Sequence, residues 1–284
     1  MRRADGHVRD TWWRRRFAEE ARAERPDLAV LCLLVGAAAD PAFAAGGEAG
    51  LDAAQTELDR LAGELPYRPG GPRQWAGAVA ELLGERYGFR GAPPDYRKLE
   101  SSLLHAVLER RRGLPILLSV VWLEVARRAG APVYGVALPG HFVVGFGPPG
   151  EQVLADPFDG GRVLSEGDAD ALAVRATGAP LDPAVLGPAD PLEIVVRVLN
   201  NVRAWATARP ERSDVALWAV ELALALPSHP ARLRYERGQL LVQRGDFLGG
   251  AAEFEAYAEV VGAVDERAAE EVRARARAAR SRLN

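Results

Sequence analysis

Acid–base or nucleophilic chemistry has few side chains to draw on here: four histidines and one cysteine among 284 residues. His7, His105, His141 and His229 are not spaced with one another as metal ligands are. A single cysteine excludes a disulfide framework and a cysteine-rich zinc site, so no metal is expected, and no cofactor. Gly160-Gly161 lacks the lysine and following helix of a phosphate loop and reads as a turn after Asp159. Cys32 lies in an apolar helical run, where a cysteine behaves as an inert small hydrophobe. Ser119 lies in another, where its hydroxyl is expected to bond a carbonyl of its own helix. His141 and Asp156 fall on neighbouring strand-like stretches, as a buried polar pair or as contacts for a ligand.

The elements that must position these residues follow from hydrophobic spacing. Leu103, Leu104, Val107 and Leu108 form one helical face, running into Arg110-Arg111-Arg112 and then Gly113. Cations followed by glycine is the order in which helices end, so a stop at Gly113 is expected, with the arginines stabilising the helix end. Pro115 opens the next helix, where a missing N–H costs nothing. Ile116, Leu117, Val120, Val121, Leu123 and Val125 make that helix apolar on most sides, hence central and buried, until Gly130 and Pro132 stop it. Three strand-like stretches follow at Val133–Ala137, His141–Phe146 and Gln152–Asp156, with proline- and glycine-bearing turns between them. A buried helix followed by an antiparallel meander is an α+β core. Ser165 and Asp168 then stand as a capping box for one more helix.

Upstream, residues 1–25 mix Trp12 and Trp13 with arginines and acids, and read as a helix or docked arm anchored by its tryptophans. The Leu28–Gly36 run follows an arginine-rich start, but acids and Pro26 precede it and it falls far short of the roughly 20 residues that span a bilayer. It reads as a buried helix. Further helices are expected over 51–65 and 72–87, separated by the proline- and glycine-rich stretch Pro66–Pro72. From Asp190 onward only amphipathic helices are legible. Arg212-Ser213-Asp214 and Arg244-Gly245-Asp246 match at an offset close to the 34-residue period of tetratricopeptide repeats. Domains are therefore expected at 1–25 (arm), 26–187 (α+β, with N-terminal helices) and 188–284 (helical repeats). Net charge is −3, so the overall balance gives no case for nucleic acid or an anionic membrane, and the cysteine usage fits the cytoplasm.

Four motifs carry a resemblance: Arg111-Arg112-Gly113-Leu114-Pro115-Ile116, Arg128-Ala129-Gly130-Ala131-Pro132, Pro139-Gly140-His141-Phe142 and Asp156-Pro157-Phe158-Asp159-Gly160-Gly161. Their order and spacing resemble the bacterial SirB-type family, in which a transglutaminase-like domain precedes tetratricopeptide-like repeats. The resemblance implies a papain-like core of a buried helix on a short antiparallel sheet. Such sites pair a cysteine thiolate at a helix N-terminus with a histidine base and an orienting aspartate. His141 matches the histidine and Asp156 the aspartate, while Pro115 stands where the resemblance places the cysteine. Ser101 and His105 replace asparagines of the family pattern. Ser119, one turn along the same helix face, is the sole candidate for a substitute nucleophile nearby.

Two functions follow from this combination. One is a catalytically degenerate protein that binds a protein or peptide, through its helical repeats and a remnant His–Asp pocket. The other is an acyl-transfer enzyme, amidase or peptidase that uses His141 and Asp156 with a non-cysteine nucleophile or an activated water. In the tail, arginines interleave with aromatics, the composition of binding hot spots, so Arg234, Arg237, Trp218 and Tyr235 are expected on the binding surface. Partner identity and oligomeric state are not legible.

Overall fold

The computed structural model describes residues 5–66 and 70–282, with side chains from Trp12 onward. The first four residues of the expected arm, the His7 side chain, Tyr67-Arg68-Pro69 of the expected break and the last two residues lie outside the described residues. Two compact units are present. One comprises Arg25–Val198 with the chain up to Arg16; the other comprises Leu199 onward with Phe17–Glu24.

In the larger unit, helix α1 (Asp5–Glu20) contributes its first part, with Trp13 buried. Helix α2 (Leu28–Ala39) is the apolar run, capped where the Asp27 carboxylate accepts from Val30 N–H and buried along most of its length. Helices α3 (Pro41–Ala45), α4 (Gly47–Gly63) and α5 (Pro72–Val79) follow, and α5 continues as a π-helical stretch over Ala80–Arg86. After α6 (Leu104–Arg110) comes α7 (Pro115–Arg128), in which every residue from Pro115 to Ala126 is buried. Each large apolar side chain there contributes about 1.5–3 kcal/mol. The buried Glu124 carboxylate is held by Arg127 and, at 2.7 Å, by Arg128.

Helix α6 ends at Arg110, and its left-handed cap is Arg111 (φ 57°), not Gly113 as the residue order suggested. An arginine tolerates that conformation because its guanidinium stacks on Tyr87 (4.6 Å) and donates to the Tyr87 carbonyl (3.1 Å). Gly113 serves packing instead: a Cβ there would lie 2.8 Å from Val107.

Helix α7 packs on β1 (Val133–Val136) and β2 (Val143–Phe146) of a four-stranded antiparallel meander completed by β3 (Val153–Asp156) and β4 (Arg162–Leu164). The register pairs Val136 with Val143, Val144 with Ala155, and Asp156 with Arg162. Strand β4 went unpredicted, being three residues long and opened by an exposed arginine. Val136, Val143, Leu154 and Leu164 share a face that packs with Ala169 and Leu172 of α8 (Glu166–Thr177) and with Leu181, Val185 and Leu186. The capping box at the start of α8 is formed, and its Ser165 partner first, then Arg162, draws the Asp168 carboxyl down to about 2.

The chain passes between units within α9 (Pro191–Thr207). The smaller unit then holds α10 (Ser213–Ala225), α11 (Arg232–Gln243), α12 (Phe247–Gly262) and α13 (Glu266–Ser281). The helix starts of the pair α10–α11 recur in α12–α13 after 34 residues. The matching Arg-x-Asp triplets are two residues closer together because Asp214 lies inside its helix while Asp246 caps the next. Phe254, Ala258, Val272 and Ala276 form the core of the second pair.

Candidate functional site

Strand β3 ends at Asp156, whose carboxylate does two things. Oδ1 accepts from Phe158 N–H at 2.9 Å and so caps the short turn Pro157–Asp159; Oδ2 meets His141 Nε2 at 2.9 Å. A carboxylate only accepts, so Nε2 is the donor in this contact, and a neutral ring paired in this way has Nδ1 as its acceptor nitrogen. His141 sits two residues before β2, in a turn closed by its own N–H on the Leu138 carbonyl. Both side chains are mostly buried, 12% and 8% exposed.

Close backbone contacts hold this pair in place. Gly140 (φ 67°) approaches α8 so tightly that a Cβ would lie 2.8 Å from Ala176. Gly160 (φ 64°) and Gly161 (φ 88°) turn the chain after Asp156. The π-helical stretch packs on that turn through Gly84, where a Cβ would fall 2.0 Å from the Gly160 carbonyl oxygen. π-Helical insertions of this kind concentrate at functional sites. The Phe158 ring stands edge-on to His141 at 6.2 Å and to Tyr96 at 6.0 Å.

Tyr96, His141, Asp156 and Phe158 line a cleft of about 850 Å³, together with Pro93, Pro139, Leu172 and Arg175. Among the described residues in its lining there is no thiol, and the one hydroxyl is the phenol of Tyr96. Burial and then the Asp156 charge raise the pKa of that phenol. The Tyr96 segment is fixed by the buried Asp95, which accepts from Ala92 N–H and from Arg112, both at 2.9 Å. Arg112 of the first motif thus holds the segment that carries Tyr96.

The remaining sequence candidates lie elsewhere. Pro115 is buried as the first residue of α7 and does not line the cleft. Ser119 is fully buried and donates to the Phe142 carbonyl at 3.2 Å, so its partner is outside its own helix, contrary to expectation. The β2 approach offers a carbonyl not yet committed to the sheet. Cys32 is buried in α2, and burial, then Glu124 and Asp27, push its thiol far up. His105 stacks on Phe43 (4.2 Å) and meets Asp40 at 3.3 Å, while the His229 ring takes the Leu226 carbonyl at 3.0 Å. No group of three or more metal-ligating side chains occurs among the described residues.

In the smaller unit, Arg237 bridges Glu221 (2.9 Å) and Glu253 (2.6 Å), and Arg234 reaches Glu253 at 3.4 Å. Trp218 is buried, and Tyr235 lies against Phe254 and Tyr257 with Arg275 over its ring. A trough of about 640 Å³ is lined instead by Asn200, Arg203, Arg232, Gln239 and Gln243. Sequence reasoning missed this trough and also Tyr96, Phe158 and Arg175 of the cleft. Phe158 had a signal, its place within the Asp-Pro-Phe-Asp motif; Tyr96, alone in a proline-rich loop, had none.

Comparison with known proteins matches residues 52–200 to the Transglutaminase-like superfamily and residues 202–284 to the Tetratricopeptide repeat. The first match covers more than half of the chain, and the chain belongs to the transglutaminase-like superfamily. Within it, a UPF0162 protein of Xylella fastidiosa is 38% identical over 189 residues, 63% of this chain and 66% of the relative, just under two thirds of its length. F-box only protein 21 of Mus musculus is 29% identical over 161 residues, covering 55% of this chain and 26% of that protein. The solved structure of menin aligns with a TM-score of 0.42 at 13% identity, over 91% of this chain and 72% of its own, a likeness that carries no argument. No helix among the described residues is long and apolar enough to cross a membrane.

Proposed function

We propose that this chain is a catalytically degenerate transglutaminase-like protein that binds a protein or peptide in the cytoplasm without covalent chemistry. The observation that carries this reading is the cleft lining: a hydrogen-bonded His141–Asp156 pair with no thiol or aliphatic hydroxyl among the described residues around it. A thiolate nucleophile needs both proximity to the base and a lowered pKa. Pro115 supplies neither, Ser119 spends its hydroxyl on Phe142, and burial keeps Cys32 protonated. Tetratricopeptide repeats in general mediate protein–protein contacts, so residues 188–284 are assigned the docking of a protein partner. Arg234, Arg237 and Tyr235 remain the proposed contributors to that surface, the buried Trp218 serving only to support it, with His141 and Asp156 as the binding pair of the cleft.

A second reading has one observation in its favour. The bare Nδ1 of His141 is able to take a proton from a water in the cleft, which is what a hydrolase using activated water requires. Mass spectrometry of peptide and peptide-amide mixtures incubated with the full chain separates the two. Unchanged masses support binding without turnover. Hydrolysis or amide exchange that disappears in His141→Gln overturns it.

A further inference from the structure

The acids and cations around the His141 cleft are unequally spent. Asp156 is committed to His141 and Phe158, Asp159 to Arg162, and Asp95 to Arg112. Arg175 lines the cleft from the last turn of α8, is exposed, and has no carboxylate partner among the described residues. Arg112, Arg127, Arg128 and Arg162, by contrast, each sit on an acid. Of the charged side chains lining the cleft, Arg175 is thus the one with no opposite charge on it among the described residues, and apolar and aromatic walls lie around it.

The distribution of groups narrows the occupant. Tyr96 and Phe158 form an aromatic corner beside His141, suited to one apolar or aromatic side chain. With Nε2 donating to Asp156, His141 Nδ1 is left able to accept a hydrogen bond, which matches a peptide N–H and not a carbonyl. Gly140 against Ala176 brings the last turn of α8, and with it Arg175, beside the His141 turn. A guanidinium there is matched by a carboxylate, which it engages through two parallel hydrogen bonds. A cleft of about 850 Å³ lies in the size range of small-ligand sites and has room for a capped dipeptide.

We propose that the cleft binds the C-terminal end of a peptide, its carboxylate on Arg175, its last apolar side chain against Tyr96 and Phe158, and a main-chain N–H on His141 Nδ1. This rests on the non-covalent reading of the cleft given above. The test is isothermal titration of the full chain with N-acetyl-Ala-Phe bearing a free carboxylate and, separately, with its C-terminal amide. The acid is expected to bind about tenfold more tightly than the amide, and Arg175→Ala to bring the acid down to the amide's affinity. The preference is expected to shrink as salt is raised. Equal affinity of acid and amide, or a preference that survives in Arg175→Ala, overturns this inference while leaving a non-covalent cleft in place. Failure of both to bind in the low millimolar range overturns it as well. Consumption of either peptide during the titration overturns the underlying reading along with it.

Discussion

Asp156 shows how much one carboxylate does: one oxygen ends a strand by capping the next turn, and the other orients an imidazole. Asp156→Asn keeps the shape and one acceptor, whereas Asp156→Ala strips both. Thermal unfolding is expected to show a loss of about 1–3 kcal/mol for the alanine and a smaller loss for the asparagine. Equal losses would mean that the cap contributes nothing. Reactivity gives a second prediction at this scale. The wild-type chain should alkylate slowly with iodoacetamide, since Cys32 is buried and its thiol raised. Pro115 is buried too and lies outside the cleft lining, so Pro115→Cys should also label slowly, with or without His141→Gln. Labelling at least about tenfold faster, slowed by His141→Gln, would show that the α7 start and the imidazole share a site after all. His141 and Asp156 were legible because short motifs with fixed turns carry them. Tyr96 was not legible, because its role depends on Asp95 and Arg112 meeting across 17 residues of sequence.

Among the elements, the π-helical stretch Ala80–Arg86 and the turn after Asp156 interlock through two glycines. Gly84→Ala places its Cβ 2.0 Å from a backbone oxygen that no side-chain rotation moves aside. The expected cost is about 1–3 kcal/mol by chemical denaturation, and a neutral result would mean the two elements separate freely. The α2–α3 junction makes a pH prediction. Burial holds His105 below the ordinary histidine value even though its bond to Asp40 pulls upward. The folded protein therefore prefers the neutral ring, and the unfolded chain binds the proton more readily. Stability contributed by this group is present above the unfolded value and lost as the pH falls through it, between about pH 7 and pH 5. His105→Asn should flatten that part of the stability profile; an unchanged slope would assign the loss to other groups. Helices α2, α4, α6 and α7 were legible from apolar spacing with proline and glycine stops, and α8 from its capping box, whereas the five-residue α3 was not. The stop of α6 was not, because Arg111 takes the left-handed cap only through its stacking on Tyr87, a contact no local pattern announces.

For the whole molecule, both architectures were readable in outline: a central buried helix before a meander, and a repeat near 34 residues. The fourth strand escaped because β4 has too few residues to show alternation. The tail's ion pairs escaped because they join different helices. Arg237 lies between Glu221 and Glu253, so Arg237→Ala leaves two largely buried carboxylates facing one another. A loss of about 1–2 kcal/mol is expected, read as a shift of the unfolding of this unit. Recovery of that loss in Arg237→Ala with Glu253→Gln would identify charge, not packing, as the cause.

Trp122 in α7 has a consequence of a different kind. Its indole Nε1 is buried with no hydrogen-bond partner and lies 3.3 Å from where a Cβ on Gly161 would sit. Gly161 in turn donates to the Asp156 carbonyl. The ring is also edge-on to Phe89 at 6.1 Å. An indole buried in this way emits at short wavelength, and its nitrogen proton is shielded from bulk water. The fold thus contains its own spectroscopic probe. An indole resonance or emission maximum that shifts on titration, and ceases to shift in Trp122→Phe, would report occupancy of the cleft without any added label.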